Sequence, residues 1–303
     1  MATRERILTK EGIWPQVRER MGRPLSNFGS FARRKPVAAA SAIFLVAIIL
    51  MTVGSPLIET HDPVATDTPH KLESPSLDHF FGTDDLGRDI WSRLVEGARV
   101  SLVVAYGATA FGVAVATGVA LISGYMGGRV DLIIQRLVDA FMSVPVILFI
   151  MAVLTILEPT VWTLILTIGV FYAVRDSRLV RSAVLSVRVM PYIEAARALG
   201  ASPMRIALRH ILPNIIYVVI IAASLAVGQV ILVEAIIGFL GFGIPPPTPT
   251  WGQMLSGTAR TFMTQAPWMG LAPGIAISLT VLAFNMLGDG LRDVLDPKLR
   301  KAA

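Results

Sequence analysis

The chain has 303 residues, of which 54% are hydrophobic and 16% charged, with a mean hydropathy of +0.65; soluble domains carry about 25% charged residues. That deficit marks an all-α, polytopic membrane protein rather than a soluble domain. There is no Cys, which excludes disulfides, thiolate metal sites and Cys nucleophiles, and the four His (His61, His70, His79, His210) lack any metal-ligand spacing, so no metal site is expected. The formal net charge of +6 fits nucleic acid or anionic lipid equally until its placement is known.

Residues 1–35 form a polar, basic tail ending in Arg33, Arg34 and Lys35. Residues 36–58 carry no charge and are long enough for a hydrocarbon core of about 30 Å, so they read as the first span. The apolar part of a cleaved signal peptide is shorter and ends at a small-x-small site, whereas this run ends in Gly54, Ser55 and Pro56. Residues 59–97 are a polar loop with Pro63, Pro69 and Pro75. Apolar runs return at 100–123, 137–157, 160–174, 215–239 and 269–287, for an expected total of six transmembrane helices, five of them within a membrane domain at 98–290. The run at 160–174 is short of the roughly 20 residues a span needs, and its Arg175 end is expected to supply a further turn. Residues 291–303 are the C-terminal tail.

Lys and Arg fix the expected orientation. With the N-terminus inside, the inner segments hold 22 of the 27 basic residues, and the positive-inside rule gives cytoplasmic N- and C-termini with 59–97 outside. Topology then accounts for the net charge, leaving no case for nucleic acid. Gly107, Gly112 and Gly118 in the second run predict close helix packing. Ionisable residues within spans are few: Asp139 and Glu234, both away from mid-span and read as structural hydrogen-bonding groups. A stand-alone ion-coupled transporter is accordingly disfavoured. Neither a GxxxxGK[ST] phosphate loop nor a Gly-x-Ser-x-Gly nucleophile motif occurs, so the chain is not expected to be an enzyme. Pro245, Pro246, Pro247 and Trp251 read as a rigid outer turn.

The largest inner loop contains EAARALGASPMRIALRHILPN, residues 194–214. Pro191 suits the first position of a helix, with Glu194 in its first turn; Gly200 suits a left-handed closing residue. Ser202 and Pro203 open a second helix, which Pro213 is expected to end. The grammar is that of a helix-turn-helix, but the flanking spans pin it to the membrane and away from a DNA groove. Two readings stay open on these residues alone: an interfacial amphipathic helix, or a docking knob for a cytoplasmic partner.

Glu194-Ala195-Ala196, then Gly200 after three residues, and His210-Ile211-Leu212-Pro213-Asn214 resemble the EAA loop of ABC importer permeases. FFGTDDLGRDIWSRLVEGARVSL (80–102), GYMGGRVDLIIQRLVDAFMSVP (124–145), WGQML (251–255) and FNMLGDGLRDVLDPKLR (284–300) resemble the C-type permease subunit of dipeptide and oligopeptide importers. Departures are the absence of Trp at 170–177, Ser177 before Arg178, and Ile237-Gly238 where the family has Leu-Ser. The resemblance implies a type I ABC importer permease fold in a bacterial inner membrane. It implies a homologous B-type partner permease, two cytoplasmic ATPase subunits or domains that bind ATP and Mg, and an outer peptide-binding protein, with no cofactor on this chain. It also implies a coupling-helix loop at 190–213. Glu194, Ala195, Ala196, Gly200 and Ala201 would form its docking surface, with Arg197 and Arg205 as ion-pair donors, although Arg197 reads equally as a solvated residue. The motif Gly82, Thr83, Asp84, Gly87, Arg88 and Asp89 would form an ordered feature of the outer loop, which either caps the bundle or meets the binding protein. Permeases for nickel chelates or glutathione-like peptides share these motifs.

Overall fold

A computed structural model describes residues 32, 33 and 35–295; most of the expected 1–35 tail, and 296–303 of the C-terminal tail, lie outside them. The described residues are helical, with no strand and one isolated bridge between Thr83 and Asp89. Helix α1, Pro36–Val53, breaks at Gly54 into the single turn α2, Ser55–Ile58. A long polar connection, with one 3-10 turn at Thr68–His70, leads to α3, Ile90–Met126. Helices α4 (Gly128–Met142), α5 (Val146–Ile156) and α6 (Val161–Arg188) follow. The inner loop holds α7, Pro191–Ala198, and α8, Pro203–Ile206, which runs through a π turn at Ala207–Ile211 into α9, Leu212–Phe239. Short α10, Trp251–Met254, and α11, Thr258–Thr261, precede α12, Trp268–Leu295.

Four helices are long and apolar enough to cross a membrane, and five if α4 and α5, bent by 84° against each other, make one span. The apolar runs predicted six. Two causes account for the difference. The expected span at 137–157 is broken between α4 and α5, because Pro145 disfavours helix at Val144 and cannot donate a backbone hydrogen bond. Helix α6, 28 residues long, runs on to Arg188, well beyond the single further turn expected after 174. Arg175, Asp176 and Arg178 in its second half leave it too charged to count as an apolar span. The charges along this helix find partners within the chain, Arg175 Nε with Asp176 at 3.0 Å among them. Arg181 Nε donates to Asp131 of α4 at 2.6 Å, Arg178 pairs with Asp139, and Arg188 donates to the Gly124 carbonyl at 2.8 Å.

Helix α3 packs most extensively against α6. In lipid the apolar effect does not drive helices together, so close backbone approach must. A Cβ at Gly112 would lie 2.8 Å from the Gly169 carbonyl oxygen, and one at Gly169 would lie 2.7 Å from Phe111 Cδ1. Gly107 is likewise closed by Ile165, whereas Gly118, also expected to pack, faces open space. The central core gathers Ala105, Ala108, Ile168, Val230, Ile231 and Phe284 from α3, α6, α9 and α12. A second cluster lies at the inner-loop end: Leu121, Val184, Ile193, Ile206, Ile211 and Ile215. At that same end Lys35, just before α1, pairs with Asp293 in the last turn of α12.

Candidate functional site

The loop between α6 and α9 is a short, tightly closed structure. Pro191 opens α7, Glu194 lies in its first turn and Arg197 in its last, each at the end where the helix dipole favours its charge. Gly200, at φ +78°, closes it: its N–H bonds the Arg197 carbonyl at 3.0 Å, and the Ala201 N–H bonds the Ala196 carbonyl at 3.1 Å. These two bonds define a Schellman end, which needs a left-handed residue at that point. The Ser202 hydroxyl then accepts from the Arg205 N–H and Pro203 begins α8. Pro213 does not end this helix. The chain widens to a π turn over Ala207–Ile211, and the helix runs on through Pro213, the wider turn taking up the ring and the missing N–H. The Asn214 side-chain amide covers the His210 carbonyl at 2.6 Å.

Ile193 and Ile206, both fully buried, pin the loop to α3, α6 and α9. The opposite face is open: Glu194, Ala195, Arg197, Gly200 and Arg205 are exposed, Ala196 and Ala201 half-buried. Apolar side chains share that surface, with Leu199 89% and Met204 67% exposed. The Arg197 guanidinium lies 5.9 Å from the centre of the Tyr125 ring, a contact that leaves its N–H donors open on the exposed face. A stiff, mixed apolar and charged projection of this kind can bind a complementary protein groove; it holds no catalytic constellation.

At the other end of the bundle, the 59–89 connection folds into a knot. The Thr83 hydroxyl donates to the His70 carbonyl and accepts from the Glu73 N–H at 2.9 Å. Buried Asp84 accepts from the N–H groups of Leu86 (2.9 Å) and Arg88 (3.0 Å) and from Arg88 Nε (2.6 Å), with Arg93 Nε at 3.6 Å. Gly82 and Gly87 have positive φ, and a Cβ on Gly87 would collide with the Asp67 carbonyl. Asp89 caps α3 by accepting from the Ser92 N–H at 2.8 Å. Trp268 Nε1 donates to the Thr83 carbonyl at 3.1 Å, and Arg93 donates to Pro63 O and to Gln253 Oε1. All six motif residues therefore belong to one ordered knot clasped to α3, α10 and α12. Trp251, expected in a rigid turn, is buried with Nε1 donating to the Leu94 carbonyl at 3.0 Å.

The two acids expected within spans differ in burial. Asp139 is half exposed and pairs with Arg178 and, at 3.7 Å, Arg136, as a structural group would. Glu234 is 1% exposed, with the Ser101 and Thr250 hydroxyls as the polar groups beside its carboxyl, although neither reaches tight hydrogen-bond geometry.

Residues 116–301 match the family of binding-protein-dependent transport system inner membrane components. The chain belongs to that family. The permease is 41% identical over 268 residues to a dipeptide transport system permease protein of Alkalihalophilus pseudofirmus, covering 88% of each chain. It is 39% identical over 278 residues to a glutathione transport system permease protein of Escherichia coli, covering 91% of each. It is also 38% identical over 263 residues to a probable D,D-dipeptide transport system permease protein of Escherichia coli, covering 87% of the permease and 88% of the relative. The fold is that of an all-helical, multi-pass membrane permease. Its departure at Gly238 has a packing counterpart, since a Cβ there would lie 2.9 Å from the Gly252 carbonyl carbon.

Two features of the permease carried no signal in the sequence. The π turn hides because Pro213 reads as a stop. His61, His79 and Asp89 meet in the outer knot although no short spacing links them.

Proposed function

We propose that the chain is the C-type transmembrane subunit of an ATP-driven peptide importer, forming half of a translocation pathway with a homologous B-type permease. The single observation that carries this reading is the exposed face of α7 and its Schellman turn, stiffly mounted by Ile193 and Ile206 where α6 gives way to α9. Glu194, Ala195, Ala196, Arg197, Gly200, Ala201 and Arg205 would dock into a cytoplasmic ATPase. ATP-driven closure of two such subunits or domains would then move α6 and α9 as rigid bodies and turn the pathway from inside to outside. ATP and Mg would reside on those partners, an outer peptide-binding protein would deliver substrate, and this chain would hold no cofactor and hydrolyse nothing. The Lys35–Asp293 pair supports termini on one face of the membrane, and the positive-inside distribution supports that face being cytoplasmic. Relatives named for dipeptide transport support peptides as cargo; the glutathione relative supports a second reading within the same chemistry.

The test is uptake into proteoliposomes carrying this chain with its partner permease, ATPases and binding protein. Labelled dipeptide should accumulate only with internal ATP, and not with this chain alone. Uptake by the chain alone under a proton gradient would overturn the assignment. A panel including glutathione separates the two cargo readings.

A further inference from the structure

The outer knot brings together side chains that the transport cycle does not use. His79 Nδ1 lies 2.9 Å from Asp89 Oδ1, His61 Nδ1 lies 4.0 Å from the same oxygen, and the two imidazole rings are 4.6 Å apart. One ligand atom from each of the three residues lies within 4.8 Å of the others. We propose that His61, His79 and Asp89 form a binding site for a divalent ion of the zinc class, which staples the 59–89 connection to the N-terminus of α3.

The donor set is the right kind. Two imidazoles and a carboxylate suit zinc, leaving a fourth position for water. Bonds of about 2.0–2.1 Å in a tetrahedron put ligand atoms roughly 3.3 Å apart. The two distances to Asp89, 2.9 Å and 4.0 Å, fall on either side of that spacing, and all three ligand atoms lie within 4.8 Å of one another, so the site closes by movement of the imidazoles alone. Binding through His79 Nδ1 takes the neutral tautomer with its proton on Nε2, so the ion replaces the hydrogen bond to Asp89 with no net loss of a proton from a neutral ring, and nothing is oxidised or reduced.

The carboxylate is oriented in advance. Its other oxygen, Oδ2, accepts from the Ser92 N–H at 2.8 Å, the Ser92 hydroxyl at 2.7 Å and the Thr60 hydroxyl at 3.3 Å. The Ser92 hydroxyl also accepts from the His61 N–H at 3.1 Å, holding the backbone that carries His61. Oδ1 is thereby aimed at the imidazoles, and outer partners of this type tune affinity by about 10–100-fold. Nearby cations do not compete, because Arg88 and Arg93 both turn to Asp84. Access is open on one side: the Asp89 carboxyl is buried, His79 is nearly so, and the His61 ring is 44% exposed.

The test is zinc binding by the assembled importer, purified on a tag without histidine and stripped with chelator. Wild type should bind one zinc per copy of this chain beyond what His61→Ala/His79→Ala binds, and cobalt(II) should give the visible bands of a tetrahedral N/O site. His61→Ala alone should weaken zinc affinity at least ten-fold. This variant is safe for folding, because the ring is exposed and its nearest hydrogen-bond partner is adjacent Thr60. Zinc should slow proteolytic cleavage within 59–89 in wild type and not in His61→Ala. Equal zinc content in wild type and the double variant, or unchanged affinity in His61→Ala, would overturn the site and leave His79–Asp89 as a simple hydrogen bond.

Discussion

Gly200 separates conformational from interfacial need more cleanly than any other position in the inner loop. At φ +78°, an L-residue there costs about 1–2 kcal/mol, and less for Asn, whose short polar side chain visits this region more readily. None of that cost is steric within the chain, since an added Cβ meets nothing within 4 Å. Gly200→Asn should therefore lower the stability of the lone chain by under about 0.5 kcal/mol, and Gly200→Ala by about 1 kcal/mol. If an ATPase packs on this turn, the same Asn adds four heavy atoms to a closed interface. Overpacking of that kind costs about 1–3 kcal/mol, or roughly 5–150-fold in affinity. The assay pairs thermal unfolding of the chain in detergent with co-purification of the ATPases and ATP-driven uptake. Gly200→Asn should unfold like wild type while retaining little ATPase and little uptake. Wild-type co-purification and uptake from Gly200→Asn would refute docking at this turn and reduce Gly200 to a helix terminator.

Other changes probe the scaffold. Trp251→Ala should destabilise by about 3–5 kcal/mol and Trp251→Phe by about 1–2 kcal/mol, because Phe keeps most of the buried ring and loses only the bond to Leu94; equal unfolding midpoints for the two would show that the ring is not a packed anchor. Asp84→Asn keeps an acceptor for the Leu86 and Arg88 N–H groups but leaves buried Arg93 and Arg88 without their carboxylate, for a loss of about 3 kcal/mol. Its readout is faster protease cleavage within 59–89, and unchanged cleavage would contradict the knot as described. The His70 imidazole is held above its usual value by its hydrogen bond to Asp67 and by that carboxylate's charge. Its contribution to stability is fully present below about pH 6.5 and is lost as pH rises through the raised folded value. The difference in loop cleavage between wild type and His70→Ala should accordingly shrink from pH 6 to pH 8; a growing difference would reverse the sign of this coupling.

Local grammar was legible wherever a residue's own backbone preference decides the geometry. Pro191, Gly200 and Ser202 marked the start of α7, its Schellman end and the cap of α8 before any tertiary contact was known. The same grammar misled at Pro213, because a π turn upstream lets the helix run on through a proline instead of ending there. Hydropathy located the second, fifth and sixth runs because each is carried by one continuous helix, and the first because all but its last turn is. It missed the bend at Ser143–Pro145, where apolar residues on both sides conceal a change of direction. It also cut α6 short at Arg175, since a window of composition cannot see that Arg178 and Arg181 find Asp139 and Asp131 on another helix. The outer motif was recognised as a unit, but its clasp on Gln253 and Trp268 is long-range and left no local trace. The meeting of His61 with His79 has the same origin.

The π turn joins α8 to α9 without a break, so Pro203–Phe239 is one 37-residue rod, roughly 55 Å from end to end. It crosses α12 most tightly where Leu225 meets Gly288 and Gly228 meets Phe284. That crossing divides the rod into arms of roughly 35 Å and 20 Å. Spin-label distances across both ends, with and without ATP, would show whether it tilts there as a seesaw, and movement of one end alone would exclude it. With those arms, a swing of about 5 Å at Pro203 becomes about 3 Å at Phe239, in the opposite direction. The far end has no slack to absorb it, because Gly238 already lies against Gly252 with less than a methyl group's clearance. Gln253, and through it Arg93 and the knot, would have to travel with the rod, so that one geared shaft links the two faces of the membrane.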